Sequence, residues 1–331
     1  MMKIFNIQTA QDFDAACLET FRYQYENVTV YRQFVDFLNI NPERVSAVEE
    51  IPFLPIEMFK NHTVLDQNKT AHFYFQSSGT TQANLSKHWI AEEKLYQESL
   101  YKSFEHFIGK PRNFVFLGLL PNYLERQNSS LVYMVDFLMK QSARAENGYY
   151  LYNHLDLYRL LLELQAQKQP TILFGVSFAL LDYLDTLKAE NLEAPNFPEL
   201  KIIETGGMKG RKEEITKDEL LSILKKAFKT QNIFSEYSMT ELLSQAYSLG
   251  DNIYQTPAWM RILIRNTEDP FSYVADGKTG AINIIDLANR HSCSFIATQD
   301  LGKINPRYPF AFEVLGRIDH SDIRGCSLLV S

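Results

Sequence analysis

The chain has 331 residues, 45% of them hydrophobic and 22% charged, with a net charge of -7. That is the make-up of a soluble globular protein with room for a substantial core, and with no Lys/Arg cluster it excludes nucleic acid as an expected partner. Three cysteines without paired or metal-type spacing fit a reducing cytoplasm, the N-terminus lacks a signal-peptide pattern, and no segment reaches the roughly 20 apolar residues of a membrane span.

Residues 1–70 predict a helical N-terminal segment packed on the main domain. Phe13, Cys17, Phe21 and Tyr25 recur at a spacing of four, which predicts one apolar helical face. The stretch TVYRQFVDFLN (29–39) continues in that style. IPFLPIEMFK (51–60) carries two prolines and predicts a bracing segment laid over a core, not a regular helix.

Over 71–256 short apolar runs alternate with amphipathic stretches. The runs are HFYFQ (72–76), NFVFLGLL (113–120), YYLY (149–152), TILFGV (171–176), LKIIE (200–204) and NIFSEY (232–237). Helical patterns occupy 91–108, 130–141, 154–168, 177–189 and 213–228. Strand then helix, repeated, predicts an α/β region with a largely parallel sheet, whose ligands sit beyond the carboxyl ends of the strands. Residues 257–316 predict a β-rich subregion, with WMRILIRN, GAINIID, SFIATQD and FAFEVLG. Residues 317–331 predict a hinge-like C-terminal tail. Cys17, by its helical spacing, and Cys293, in a predicted strand, are expected in the core. His62, His88 and His320 are expected to be structural, with His88 nearest any site.

Five polar motifs follow apolar runs. FQSSGTTQANLSKH (75–88) sets Ser77, Ser78, Gly79, Thr80 and Thr81 after a strand, with Lys87 beyond. Hydroxyls, backbone N–H groups and an unencumbered glycine can wrap an oxyanion, although the displaced lysine departs from the GxxxxGK[ST] loop and an ordinary polar turn has the same composition. ETGGMKG (204–210) offers Gly206, Gly207 and Met208, where paired glycines let a flat ring approach the backbone; a plain strand-to-helix turn is the alternative. EYSMTE (236–241) offers Tyr237, Thr240 and Glu241; alternatively Ser238 or Thr240 caps a helix. TQDLG (298–302) holds Asp300, or else is a turn. LGRIDHSDIRG (315–325) holds Arg317, or else is a charged connection.

In this order the five motifs resemble the acyl-adenylate-forming enzymes, the group of acyl-CoA synthetases, firefly luciferase and peptide-synthetase adenylation domains. The nearest branch is the acyl-protein synthetases of bacterial luminescence operons, the LuxE-type fatty-acid ligases. IPFLPIEMFKNHTV, SKH, TPAWMRILIRN, VADGKTGAINIIDLA and a cysteine in the terminal RGCSLLVS carry that narrower likeness.

The resemblance implies a large adenylate-forming N-terminal-type α/β domain, with parallel sheets flanked by helices and a β-rich C-terminal part. The superfamily's C-terminal domain, with its adenylation lysine, is expected to be absent because the chain stops at Ser331. The implied reaction joins a fatty acid and ATP to give acyl-AMP and pyrophosphate. Ser77, Ser78, Gly79, Thr80 and Thr81 would hold the β- and γ-phosphates, assisted by Lys87. Gly206, Gly207 and Met208 would line the adenine pocket and Tyr237 would stack on the ring. Thr240 would contact the α-phosphate, Glu241 would hold Mg²⁺, and Asp300 and Arg317 would bind the ribose hydroxyls. Cys326 would take the acyl group as a thioester and pass it to a partner acyl reductase or acyl acceptor. The alternatives are an aryl- or acyl-CoA ligase and a non-catalytic nucleotide-binding subunit.

Overall fold

The structure is a computed structural model and describes residues 4–77, 85–120, 128–206, 215–308 and 310–318. In chain order its elements are α1 (Ala10–Asn27), α2 (Thr29–Phe37), β1 (Leu54–Pro55), α3 (Met58–Asn61), β2 (Phe73–Gln76), β3 (Lys87–Ile90), α4 (Glu93–Phe107), β4 (Val115–Leu119), α5 (Ser130–Ser142), β5 (Gly148–Tyr149) and α6 (His154–Ala166). There follow β6 (Thr171–Val176), α7 (Ser177–Ala189), β7 (Leu200–Thr205), α8 (Lys217–Ala227), β8 (Ile233–Tyr237), β9 (Ala246–Ser248), β10 (Tyr254–Gln255), β11 (Met260–Arg265), β12 (Gly280–Asp286), β13 (Phe295–Ile304) and β14 (Phe312–Arg317). The chain divides into two compact units, one built from the described parts of 4–72, 88–91 and 258–318, the other from those of 73–87 and 92–257.

The first unit holds α1, α2 and an antiparallel sheet in the order β11-β12-β13-β14, with β1 lying parallel to β13. A capping box starts α1: Thr9 accepts from the Asp12 N–H, and Asp12 accepts from that of Thr9, each at 3.1 Å. Phe13, Cys17 and Phe21 are buried as the spacing predicts, but Gln24 takes the next interior position, not Tyr25. The helix turns by about 100° per residue, so eleven steps bring Gln24 to within about 20° of Phe13 while twelve leave Tyr25 about 120° away. Gln24 satisfies its buried amide by donating to the carbonyls of Asn289 and Arg290 at 3.0 and 2.9 Å, and it accepts from the Ser294 N–H at 3.0 Å. Tyr25 turns outward and donates to Asp36 at 2.9 Å. The proline-bearing segment acts as the predicted brace. Ile51, Phe53, Leu54 and Phe59 are buried, and the Phe53 ring meets Phe295 edge-on at 6.0 Å.

In the second unit β5, β4, β6, β7 and β8 pair in parallel in that order, and β9 and β10 extend the sheet antiparallel. Every residue of β4 and β6 is buried, as parallel strands covered on both faces require. Helices α4, α6, α7 and α8 fall within the predicted stretches, and α5 runs one residue past its own, to Ser142. Of the YYLY run only Tyr149 joins a strand, following Gly148 in β5, and Tyr152 is exposed. The 213–228 pattern yields a helix from Lys217, started by a capping box between Thr216 and Glu219; residues 213 and 214 lie outside the described residues. Among the described residues, no helix is long and apolar enough to cross a membrane.

Candidate active site

The second unit carries the described parts of three of the five motif segments, each following a strand. After β2, the Ser77 N–H donates to the Ser86 carbonyl at 3.1 Å and the Ser77 hydroxyl accepts from the Ser86 N–H at 3.0 Å. Ser77 thereby ties together the two ends of the SSGTT segment; Ser78, Gly79, Thr80 and Thr81 lie outside the described residues. Lys87 is exposed, with Nζ 5.2 Å from the centre of the Tyr74 ring. This cation–π contact holds the ammonium near the segment without burying it. Behind β2, Phe75, Tyr96 and Tyr133 form an aromatic cluster with ring centroids 5.3 Å apart.

At the end of β7, Gly206 is exposed with φ +74°, the left-handed region that favours glycine. Its carbonyl accepts from the Ser177 hydroxyl at 2.8 Å. Gly207 and Met208 lie outside the described residues. Two residues before Gly206, Glu204 is completely buried and bound by the Lys217 ammonium and the Ser177 hydroxyl. Burial opposes the charge on Lys217, but the Glu204 carboxylate outweighs it and holds the ammonium above its usual range. Glu204 thus ties the end of β7, where the GGM segment begins, to the first residues of α7 and α8.

Tyr237 closes β8 and is half-buried, its ring 5.9 Å from that of Tyr254 at 62°. Thr240 and Glu241 follow in a turn closed by the Leu242 N–H on the Met239 carbonyl at 3.1 Å. Strand β9 comes next, so the helix-capping alternative for EYSMTE does not hold. Glu241 is buried and Thr240 half-buried. Just before Tyr237, Glu236 is buried and accepts from the Thr205 hydroxyl at 2.5 Å. Among the described residues no group of three or more His, Cys, Asp or Glu could hold a metal by itself. Glu241, a buried carboxylate in the turn after β8, suits Mg²⁺, which takes one or two carboxylates and completes its shell from substrate phosphates and water.

In the first unit, Asp300 and Arg317 are direct partners across β13 and β14. Arg317 Nε donates to Asp300 Oδ1 at 3.3 Å; the carboxylate side chain is 11% exposed and the guanidinium 80%. TQDLG is therefore strand, not turn. Its glycine sits at a register shift after Leu301, where a Cβ on Gly302 would come within 2.6 Å of the Glu313 carbonyl oxygen. Cys17 and Cys293 are fully buried, and burial pushes both thiols up, Cys293 to about 12. His88 is buried, its Nε2 2.9 Å from Asn289 Oδ1 and its ring edge-on to Phe59 at 5.7 Å, a packing role. Cys326 and His320 lie outside the described residues.

Sequence reasoning passed over Glu204, Lys217, Ser177 and Glu236. A signal for two of them was present: an acid inside an apolar strand run, as in LKIIE and NIFSEY, must find a partner or lose its charge when buried.

No curated protein matches the chain by sequence. Among solved structures, a 2-hydroxyisobutyryl-CoA ligase in complex with 2-HIB-AMP and CoA matches with TM-score 0.67 at 13% identity, over 94% of this chain and 70% of that one. ATP-bound MatB from Rhodopseudomonas palustris matches with TM-score 0.54 at 13% identity, over 78% and 49%. A luciferase-like enzyme from the nonluminescent Zophobas morio mealworm matches with TM-score 0.50 at 12% identity, over 85% and 62%. At these identities the likeness is one of fold. The family profile of the LuxE acyl-protein synthetases matches residues 5–331. With that match over nearly its whole length, the chain belongs to the LuxE acyl-protein synthetase family and is an adenylate-forming ligase.

Proposed function

We propose that the protein activates a fatty acid with ATP and Mg²⁺, takes the acyl group onto Cys326 as a thioester, and delivers it to a partner acyl reductase or acyltransferase in the cytoplasm. The observation that carries the adenylation half is the placing of Gly206 and the Tyr237–Glu241 turn at the carboxyl ends of adjacent parallel strands, the customary ligand position of such sheets. Gly206, with Gly207 and Met208, would leave room for the adenine ring, and Tyr237, braced by Tyr254, would stack on it. Thr240 would donate to the α-phosphate. Ser77, Ser78, Gly79, Thr80, Thr81 and the free-reaching Lys87 would hold the outer phosphates. Asp300 would accept from a ribose hydroxyl and Arg317 would donate to it. Glu241 would hold Mg²⁺, which when bound offsets phosphate charge. The substrate carboxylate attacks the α-phosphorus, and the bond to pyrophosphate breaks.

In the second half, the Cys326 thiolate attacks the acyl carbonyl, a thioester forms and AMP leaves. The thiol proton passes to solvent. Burial removes Cys17 and Cys293 from contention, since a thiol pushed up to about 12 carries almost no thiolate at neutral pH. Acyl transfer to coenzyme A is the second reading. The test uses pyrophosphate–ATP exchange and acyl labelling together. Glu241→Ala should depress exchange strongly. Cys326→Ser should keep exchange and lose the hydroxylamine-sensitive label that the unmodified chain acquires from radioactive fatty acid and ATP. A persisting label in Cys326→Ser would refute the acceptor, and consumption of coenzyme A without labelling would establish the second reading instead.

A further inference from the structure

Glu204, Ser235, Ser248 and Tyr254 are successive register partners across β7, β8, β9 and β10, so they form a row on one face of the sheet. Tyr237, two residues after Ser235, shares that face by strand alternation, and Gly206 stands two residues after Glu204, just past the end of β7. The two middle positions of the row are serines, small enough to leave room for a long side chain coming from the start of α8. Lys217 uses that room: its ammonium binds the Glu204 carboxylate at one end of the row and the Tyr254 hydroxyl at the other. Glu204 and Tyr254 are both buried, at 0% and 2% exposure, so neither can turn away into solvent.

Each end of this network reaches one of the residues assigned to the adenine ring. At one end the Ser177 hydroxyl bridges Glu204 Oε1 and the Gly206 carbonyl, which it meets at 2.8 Å. A hydroxyl has one proton, and here two acceptors face it. The Lys217 ammonium satisfies the other oxygen of the carboxylate, which leaves more of that proton to Gly206 and steadies its left-handed backbone, φ +74°. At the other end the Tyr254 ring meets Tyr237 at 5.9 Å. The ion pair alone would neutralise Glu204; the two hydroxyls add nothing to that charge balance, yet they belong to the side chains that touch Gly206 and Tyr237. We propose that Ser177, Glu204, Lys217 and Tyr254 are positioning residues for the nucleotide, one buried network that sets the gap between Gly206 and Tyr237 where the base is held. They act through Gly206 and Tyr237. The inference rests on the adenylation reading and adds to it the residues that decide how tightly the base is gripped.

The experiment is calorimetric titration with ATP, and with inorganic tripolyphosphate as a competitor that carries the phosphates without the base. Ser177→Ala removes the hydroxyl at one end of the network, and Tyr254→Phe removes the other while keeping the ring against Tyr237. Each should weaken ATP binding about fivefold, the worth of one hydrogen bond, and leave the affinity for tripolyphosphate unchanged. Both affinities are read from the folded molecules alone, so a lower folded fraction cannot mimic the result. Unchanged ATP affinity in both variants would overturn the inference, as would an equal loss for ATP and tripolyphosphate, which marks general damage to the site. Tyr237→Ala separates this from the reading beneath it. If Tyr237→Ala weakens ATP while Ser177→Ala and Tyr254→Phe do not, the inference alone fails. If Tyr237→Ala binds ATP as the unmodified protein does, or the unmodified protein binds none, the adenylation reading fails and the inference with it.

Discussion

Replacing Lys217 by methionine tests the energetics beneath the segment that begins at Gly206. Glu204 is completely buried, while the Lys217 side chain is 20% exposed, so the substitution strands a carboxylate whose remaining partner is the Ser177 hydroxyl. Removing one member of a buried pair costs about 3–5 kcal/mol, because the other charge stays desolvated. Replacing both members with apolar residues of similar volume is close to neutral. Lys217→Met alone should therefore lose about 3–5 kcal/mol, and Glu204→Leu/Lys217→Met should recover most of it. Urea unfolding followed by far-UV circular dichroism measures this. Both tryptophans, Trp89 and Trp259, belong to the other unit, so fluorescence reports the wrong transition. A single-variant loss below about 1 kcal/mol, the worth of an exposed pair, would refute the reasoning, as would a double variant whose loss equals the sum of the two singles.

Two further predictions separate stability from function. Asp300→Ala should leave stability within about 1 kcal/mol, since its ion-pair partner is largely exposed; it should weaken ATP binding by roughly 1.5–3 kcal/mol in calorimetry, and unchanged affinity would remove Asp300 from the ribose role. Glu236→Gln should change the pH dependence of unfolding. Burial, helped by Glu204 and opposed by Ser238, Thr205 and Lys217, raises the folded carboxyl above 4.5, so the folded state holds a proton the unfolded chain releases. The stability of the unmodified protein then falls as pH rises from 4.5, by at most about 1.4 kcal/mol per unit, while the glutamine variant escapes that fall. A difference between the two proteins that is flat from pH 4.5 to 8, roughly the range in which proteins are most stable, would refute the neutral carboxyl.

The central strands were legible because covered parallel strands leave a local signature: TILFGV and NFVFLGLL are apolar without alternation, and β6 and β4 fall inside them. The helix face of α1 was legible through Phe21 and then lost at Tyr25, since a spacing of four outruns a turn of 3.6 residues. What the candidate site owes to Glu204 and Glu236 was not legible, although both acids sit in plain view inside apolar runs. Their fates depend on register. Glu204 faces Ser235 and Thr205 faces Glu236 across the same pair of strands, so the two acids project from opposite faces. On one face the first residue of α8 brings an ammonium to Glu204, thirteen residues on in the chain. On the other face Glu236 meets the Thr205 hydroxyl, with the aromatic rings of α4 against its neighbour Tyr247. A shift of the pairing by one residue would exchange the two environments. One acid is paired with an ammonium and the other is raised above its usual range by burial, through pairing that only the assembled sheet defines, and that pairing is what makes Glu204 a support for the motif.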